Sequence, residues 1–223
     1  MDAIFAQFLD AEVAARYLPA MLTAFLVTFR LAFLIVITGL SAGLVLALLR
    51  TLQIIPLSAV IVIYSDLLRC VPALTLMFLF YFALPLAGVP MTGPVAAWLS
   101  LSMVLAAFAE EIYWTAILSV HPGQWEAARS TGLSFAQTIG HVILPQAMRV
   151  AIPPLTNRTI AITKGVALAS SIAVPEMLGE AIAATAYSSN STPLMMAAAG
   201  YLIVFLPLAL ISRWLEPSAG GAG

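Results

Sequence analysis

The chain has 223 residues, of which 62% are hydrophobic and only 9% charged, with a formal net charge of −1 and a mean hydropathy of +1.05. A soluble domain carries roughly 25% charged residues, so this composition excludes one and specifies an integral membrane protein; the net charge says nothing about nucleic acid, and no nucleic-acid partner is expected. A single cysteine, Cys70, excludes an internal disulfide framework and a cysteine-based zinc site, and His121 and His141 lie too far apart along the chain to suggest a metal.

Residues 1–17 carry Asp2, Asp10, Glu12 and Arg16 with no basic stretch before a short apolar core, so they do not read as a signal peptide. They read as an amphipathic, interfacial helix. Five apolar spans follow, at residues 18–49, 56–86, 94–118, 153–174 and 193–214, each longer than the roughly 20 residues that cross a hydrocarbon core. The first two are long enough to tilt or project beyond it. The pattern predicts an all-α, polytopic fold of five transmembrane helices over residues 18–215, followed by a Gly/Ala-rich, disordered tail at 216–223. In the first span Thr28, Gly39, Ser41 and Gly43 supply small positions for helix contact. Arg30 is long enough to snorkel to an interface, and Met195 and Met196 read as packing residues.

Arg50, Arg129, Arg149, Arg158 and Arg213 fall on one side of five crossings and Arg16 alone on the other. Arginine excess marks the cytoplasmic side. The N-terminus is therefore expected in the periplasm, and the 119–149 loop and C-terminus in the cytoplasm. No internal repeat is visible, and an odd number of spans does not divide into the inverted halves of many secondary transporters. A pathway is expected between two such chains.

Residues 119–149 form a polar island between apolar runs. Pro122 suits the first turn of a helix, where its missing N–H is not needed. A short helix is expected over residues 124–131, closed by Gly132 in a left-handed cap. Ser134 and Gln137 have the spacing of a capping box for a second helix, which Pro145 is expected to interrupt. Ala127 and Ala128 are small enough for a partner to approach closely, with Glu126 and Arg129 flanking them. An ordinary solvated loop with a surface helix is the alternative.

Five ionisable residues fall inside the spans: Asp66, Arg69, Glu110, Glu111 and Lys164. A charge at the bilayer centre costs about 2.5–3.5 kcal/mol on insertion scales, so such residues face protein or a water-filled cavity. Asp66 and Arg69 share a helix face and form either a self-neutralising pair or part of a pathway. Glu110 and Glu111, being adjacent, point about 100° apart and cannot both face one site. Glu110 is expected to pair with Lys164, another subunit or the substrate. The formal sum of the five, −1, favours a zwitterionic or cationic substrate.

The spacing within the island carries more. Glu126-Ala127-Ala128, three residues, Gly132, nine residues, then Val142-Ile143-Leu144-Pro145 resembles the cytoplasmic EAA loop of permease subunits of binding-protein-dependent ABC importers. The Val120-His121-Pro122-Gly123-Gln124 lead-in is similar to the polar amino-acid branch. So are Asp66 to Pro72, Tyr81 to Pro85, Ala107 to Ile112, and Asn157 through Lys164 to Leu168. The resemblance covers residues 20–215 and implies a type I importer permease in a bacterial inner membrane. It implies a coupling role for Gly123, Glu126, Ala127, Ala128, Arg129 and Gly132. It also implies a pathway role for Glu111, Lys164 and Glu176, with Glu111 the better-placed acid of its pair; Asp66, Arg69 and Glu110 join them as pathway candidates by their position inside the spans. The chain departs from the family pattern at Cys70-Val71, Glu110, Trp114 and Gly165-Val166-Ala167.

The sequence lacks G-x-x-x-x-G-K-[ST], so no cofactor is expected on this chain. ATP and Mg belong on a partner ABC ATPase dimer, with a second permease subunit, identical or homologous, and a periplasmic substrate-binding protein completing the importer. An ion-coupled secondary transporter or channel subunit would use the same intramembrane charges without an ATPase. An intramembrane enzyme is disfavoured, because H-E-x-x-H and G-x-S-x-G are absent and both histidines lie outside the spans.

Overall fold

The computed structural model describes residues 6–215, with side chains to residue 210. The helices are α1 (Ala11–Arg50), α2 (Ile55–Cys70), α3 (Ala73–Leu86), α4 (Gly93–Ser119), α5 (Pro122–Ser130), α6 (Phe135–Ile172), α7 (Met177–Ser188) and α8 (Thr192–Leu215). Three unbroken helices, α1, α4 and α8, are long and apolar enough to cross a membrane. Two bent pairs, α2 with α3 and α6 with α7, bring the candidate spans to as many as five where each pair is one broken span. Leu22, Phe29, Phe33 and Ile37 on α1 and Leu202, Ile203 and Leu206 on α8 remain exposed, as a lipid-facing surface requires.

The N-terminal segment differs from expectation. Residues from Ala11 onward are not a separate surface helix but the first turns of α1, whose 40 residues extend about 60 Å at 1.5 Å per residue. Asp10 explains where α1 begins: its carboxylate accepts from the N–H groups of Glu12 (2.8 Å) and Val13 (3.1 Å), satisfying two donors that lack a partner in the first turn. The expected tail at 216–223 lies outside the described residues.

The second span is broken. Val71 is extended (φ −82°, ψ 127°) because the ring of Pro72 disfavours a helical residue before it, and α3 leaves α2 at 103°. The fourth span begins much earlier than residue 153. Pro145 does not interrupt it: α6 runs from Phe135 through Pro145, Pro153 and Pro154. Just before Pro145 the helix widens into a π turn, Ile139–Ile143. An equivalent π turn, Leu79–Ala83, precedes Pro85 in α3. A proline ring crowds the carbonyl four residues earlier, and a wider turn relieves that contact while the helix continues. The last nine residues of α6 tighten to 3₁₀ geometry. Ala173, left-handed at φ 57°, then turns the chain into α7 at 45°.

Two of the larger buried clusters lie on α4. Ile35, Met77, Leu101, Leu105 and Val166 bury together in one, and Ala47, Tyr113, Ile117, Ile143 and Leu155 in the other. The α1–α4 seam depends on small residues. A methyl group on Gly39 would lie 2.8 Å from the Leu105 side chain, and one on Gly43 2.6 Å from the Ala109 Cβ. Thr28 joins them as a buried position whose hydroxyl accepts from the Met177 N–H at 3.0 Å. Ser41, in contrast, points outward.

Candidate functional site: an exposed short helix and a charged row between spans

The polar island folds much as its local signals dictate. α5 starts at Pro122, and His121 Nδ1 accepts from the Gly123 N–H at 3.0 Å. Thr131 closes the helix and Gly132 follows at φ 86°, a conformation that glycine adopts without steric cost. The Ser134–Gln137 capping box forms in both directions, at 2.9 and 3.3 Å. Arg129 reaches back to the Leu133 carbonyl at 3.3 Å, bracing the turn.

α5 is joined firmly to the start of α6. Trp125 stacks on Phe135 with ring centroids 6.1 Å apart, and Gln146 donates to Gln124 at 3.3 Å. Of the two small residues, Ala128 is buried against its own chain and Ala127 is exposed. Glu126, Ala127 and Arg129 form the exposed face, with Gly132 exposed at its end. Behind α5, Thr51, Trp114, Trp125, Glu126 and Phe135 line a cavity of about 400 Å³.

Deeper in the bundle, charged side chains from three helices, α1, α2 and α4, meet. Arg50, the last residue of α1, donates to Glu110 of α4 at 2.9 Å, and Ser65 of α2 donates to the other Glu110 oxygen at 2.9 Å. Arg50 lies 3.5 Å from Glu111 and stacks on Trp114, 4.5 Å from the ring centroid. Arg69 is 3.9 Å from Glu111 and pairs with Asp66. Glu110 is fully buried, while Glu111 keeps 38% of its side-chain exposure. Burying a lone carboxylate is very unfavourable, and the arginine and hydroxyl together offset that cost.

The expected role of Glu110 is therefore corrected. Its partner is Arg50, not Lys164. Lys164 is exposed in a groove with Ala167, Tyr201, Leu202 and Phe205 and makes no hydrogen bond or ion pair with a described residue. Glu176 also departs from a pathway-lining position. It is fully buried, caps α7 by accepting from the Gly179 N–H at 2.7 Å, and receives the Tyr201 hydroxyl.

Arg158 is the other correction. Placed at the start of the fourth span by hydropathy, it lies well inside α6, with its guanidinium 4.0 Å from the centroid of Phe108, near the middle of α4. Adding Arg158 to the five changes the formal sum from −1 to 0, which removes the preference for a cationic over a zwitterionic substrate. Hydropathy windows place arginines at span ends by construction. The signal that identifies Arg158 is its helical spacing with Ala161 and Lys164 on the exposed stripe of α6.

Residues 39–220 match the family described as the binding-protein-dependent transport system inner membrane component. YckA of Bacillus subtilis, a probable amino-acid ABC transporter permease, is 36% identical over 172 residues, covering 77% of this chain and 76% of that protein. GlnP of the same organism, a probable glutamine ABC transporter permease, is 34% identical over 205 residues, covering 90% and 94%. A solved amino acid ABC transporter with histidines superposes with a TM-score of 0.82 at 29% identity, covering 93% of this chain and 98% of that one. The MetNI methionine ABC transporter shares the fold, with a TM-score of 0.65 at 19% identity and coverage of 94% and 100%. With a family match over most of its length and up to five candidate spans on this shared frame, the chain belongs to the inner-membrane permease components of binding-protein-dependent transport systems.

Proposed function

We propose that this chain is the membrane subunit of an ATP-driven amino-acid importer, working with a second permease, an ATPase dimer that holds ATP and Mg, and a periplasmic binding protein. The amino-acid reading draws on relatives named for glutamine, L-cystine and arginine transport. The pairing with a second, homologous permease draws on the similarity to both GlnP and GlnM of one organism. Arginines at the α5 end of the bundle support a cytoplasmic position for α5 and the C-terminus, and a periplasmic N-terminus, in a bacterial inner membrane.

The observation that carries the coupling reading is the mechanical continuity of α5 with α6. An ATPase gripping Glu126, Ala127 and Arg129 moves α5. The Trp125–Phe135 stack and the buried Ala128 prevent α5 from moving alone, so α6 moves with it. α6 carries Arg158 and Lys164, so displacement at the ATPase surface reaches these two cations. ATP closure and the loaded binding protein each favour the outward-facing form by binding it better. Hydrolysis then restores the inward-facing one.

The test is uptake by the reconstituted complex with and without ATP. Uptake is expected to require ATP; uptake driven by an ion gradient alone would identify a secondary transporter instead. Glu126→Arg is expected to insert and fold normally, because Glu126 is exposed, yet to lose ATPase co-purification and ATP-driven uptake. Retention of both would remove α5 as the coupling element.

A further inference from the structure

We infer that Arg158 binds the carboxylate of the transported amino acid within the membrane, and that Glu111 receives its ammonium group. The inference rests on the importer reading above.

Arg158 stands on the exposed stripe of α6 with its guanidinium stacked on Phe108. It makes no hydrogen bond or ion pair with another described residue. The guanidinium carbon lies 4.0 Å over the Phe108 ring centroid, and a guanidinium held over a ring face can present its N–H edge to a carboxylate in bidentate fashion. An arginine so placed avoids hydrocarbon, so its surroundings are a watered path or another polar group. Asp66 is engaged with Arg69, and Glu110 with Arg50 and Ser65, so of the acids in the charged row Glu111 alone is held loosely.

Glu111 supplies the opposite pole. Its two arginine contacts are long, at 3.5 and 3.9 Å, and its side chain stays 38% exposed. Phe108 and Glu111 are three residues apart on α4 and so project from one face, with Cβ atoms about 5–6 Å apart. Between α4 and α6 a cleft of about 250 Å³ is lined by Glu111, Thr115, Val150 and Pro154, and Pro154 precedes Arg158 by one turn. A cation fixed over Phe108 and an anion one turn away match a molecule carrying both charges on one carbon. A simple anion or cation would use only half of this arrangement.

The experiment uses the whole reconstituted importer. It is given a mixture of the proteinogenic L-amino acids plus L-cystine, and accumulated compounds are counted by mass spectrometry. The binding protein sets apparent affinity, so the loss is expected in maximal rate. Arg158→Gln should lower maximal ATP-driven uptake at least about tenfold, the loss expected for a charge-assisted hydrogen bond. Its apparent KM should stay within about twofold of wild type, with ATP hydrolysis still stimulated by the loaded binding protein. Arg158→Lys should recover part of the rate, and Phe108→Leu, which keeps the charge but removes its platform, should fall between wild type and Arg158→Gln. Maximal uptake within about twofold of wild type in Arg158→Gln would overturn the inference. So would loss of a permease chain from the purified Arg158→Gln complex, which would make Arg158 a subunit contact. Absence of ATP-dependent uptake by the wild type would instead remove the importer reading itself, and this site with it.

Discussion

Arg50→Ala is expected to destabilise the protein by about 3–5 kcal/mol, the usual cost of removing one partner of a buried ion pair. Glu110 has no exposure to solvent, and its remaining hydrogen-bond partner would be Ser65. Glu111 would lose the nearer of its two arginines, and Trp114 the cation stacked on it. Thermal unfolding of the purified protein in detergent should show the loss as a lower midpoint and reduced yield. The double variant Arg50→Met with Glu110→Met should recover much of it, because an apolar pair leaves no buried charge. If Arg50→Ala unfolds at the wild-type midpoint, the Arg50–Glu110 pair does not support the fold. The pair also accounts for two departures from the family pattern together: Glu110 needs a cation, and Trp114 provides the surface on which Arg50 rests.

The second large effect is expected at Gly43. A Cβ there would meet the Ala109 Cβ at 2.6 Å, the Ala106 carbonyl oxygen at 2.9 Å and the Glu110 nitrogen at 3.0 Å. None of these can rotate away, so Gly43→Ala forces α1 off α4 and should cost about 1–3 kcal/mol, the range for overpacking. Gly39→Ala meets only the Leu105 side chain, at 2.8 Å; a rotamer change relieves its Cγ and Cδ2 contacts and leaves the Cβ contact alone, one fixed atom against three at Gly43. Ranking the two variants by unfolding midpoint checks the argument. Equal midpoints, or a lower one for Gly39→Ala, would mean that the seam is not held at Gly43. The displacement at Gly43 also bears on the charged row, because α1 places Arg50 against the same turn of α4.

Where sequence reading succeeded, the interactions are local. Pro122 starts α5, Gly132 takes a left-handed turn just beyond it, and Ser134 and Gln137 cap the next helix. Each signal acts within about four residues, so neighbouring letters suffice. The candidate spans were legible for a similar reason, since apolar runs report length directly. The break at Val71-Pro72 was obscured because both halves are apolar. The continuity of α6 through Pro145 was obscured because a proline usually ends a helix, and the compensating π turn leaves no trace in composition.

The partners of the charges were the least legible. Asp66 and Arg69 found each other at three residues' distance on one helix. Arg50 and Glu110 are sixty residues apart, and nothing in either neighbourhood points to the other. By itself the sequence determined that the chain lives in a membrane, which apolar runs are long enough to cross it, and that it presents a capped helix pair with the spacing of the permease family. The tertiary structure alone decided which intramembrane charges are spent on the fold and which stay open. That choice depends on how closely α1 and α2 approach α4, and on where Phe108 meets Arg158 across the α4–α6 face. Such distances arise from helix packing, which brings distant residues together without marking them in the chain.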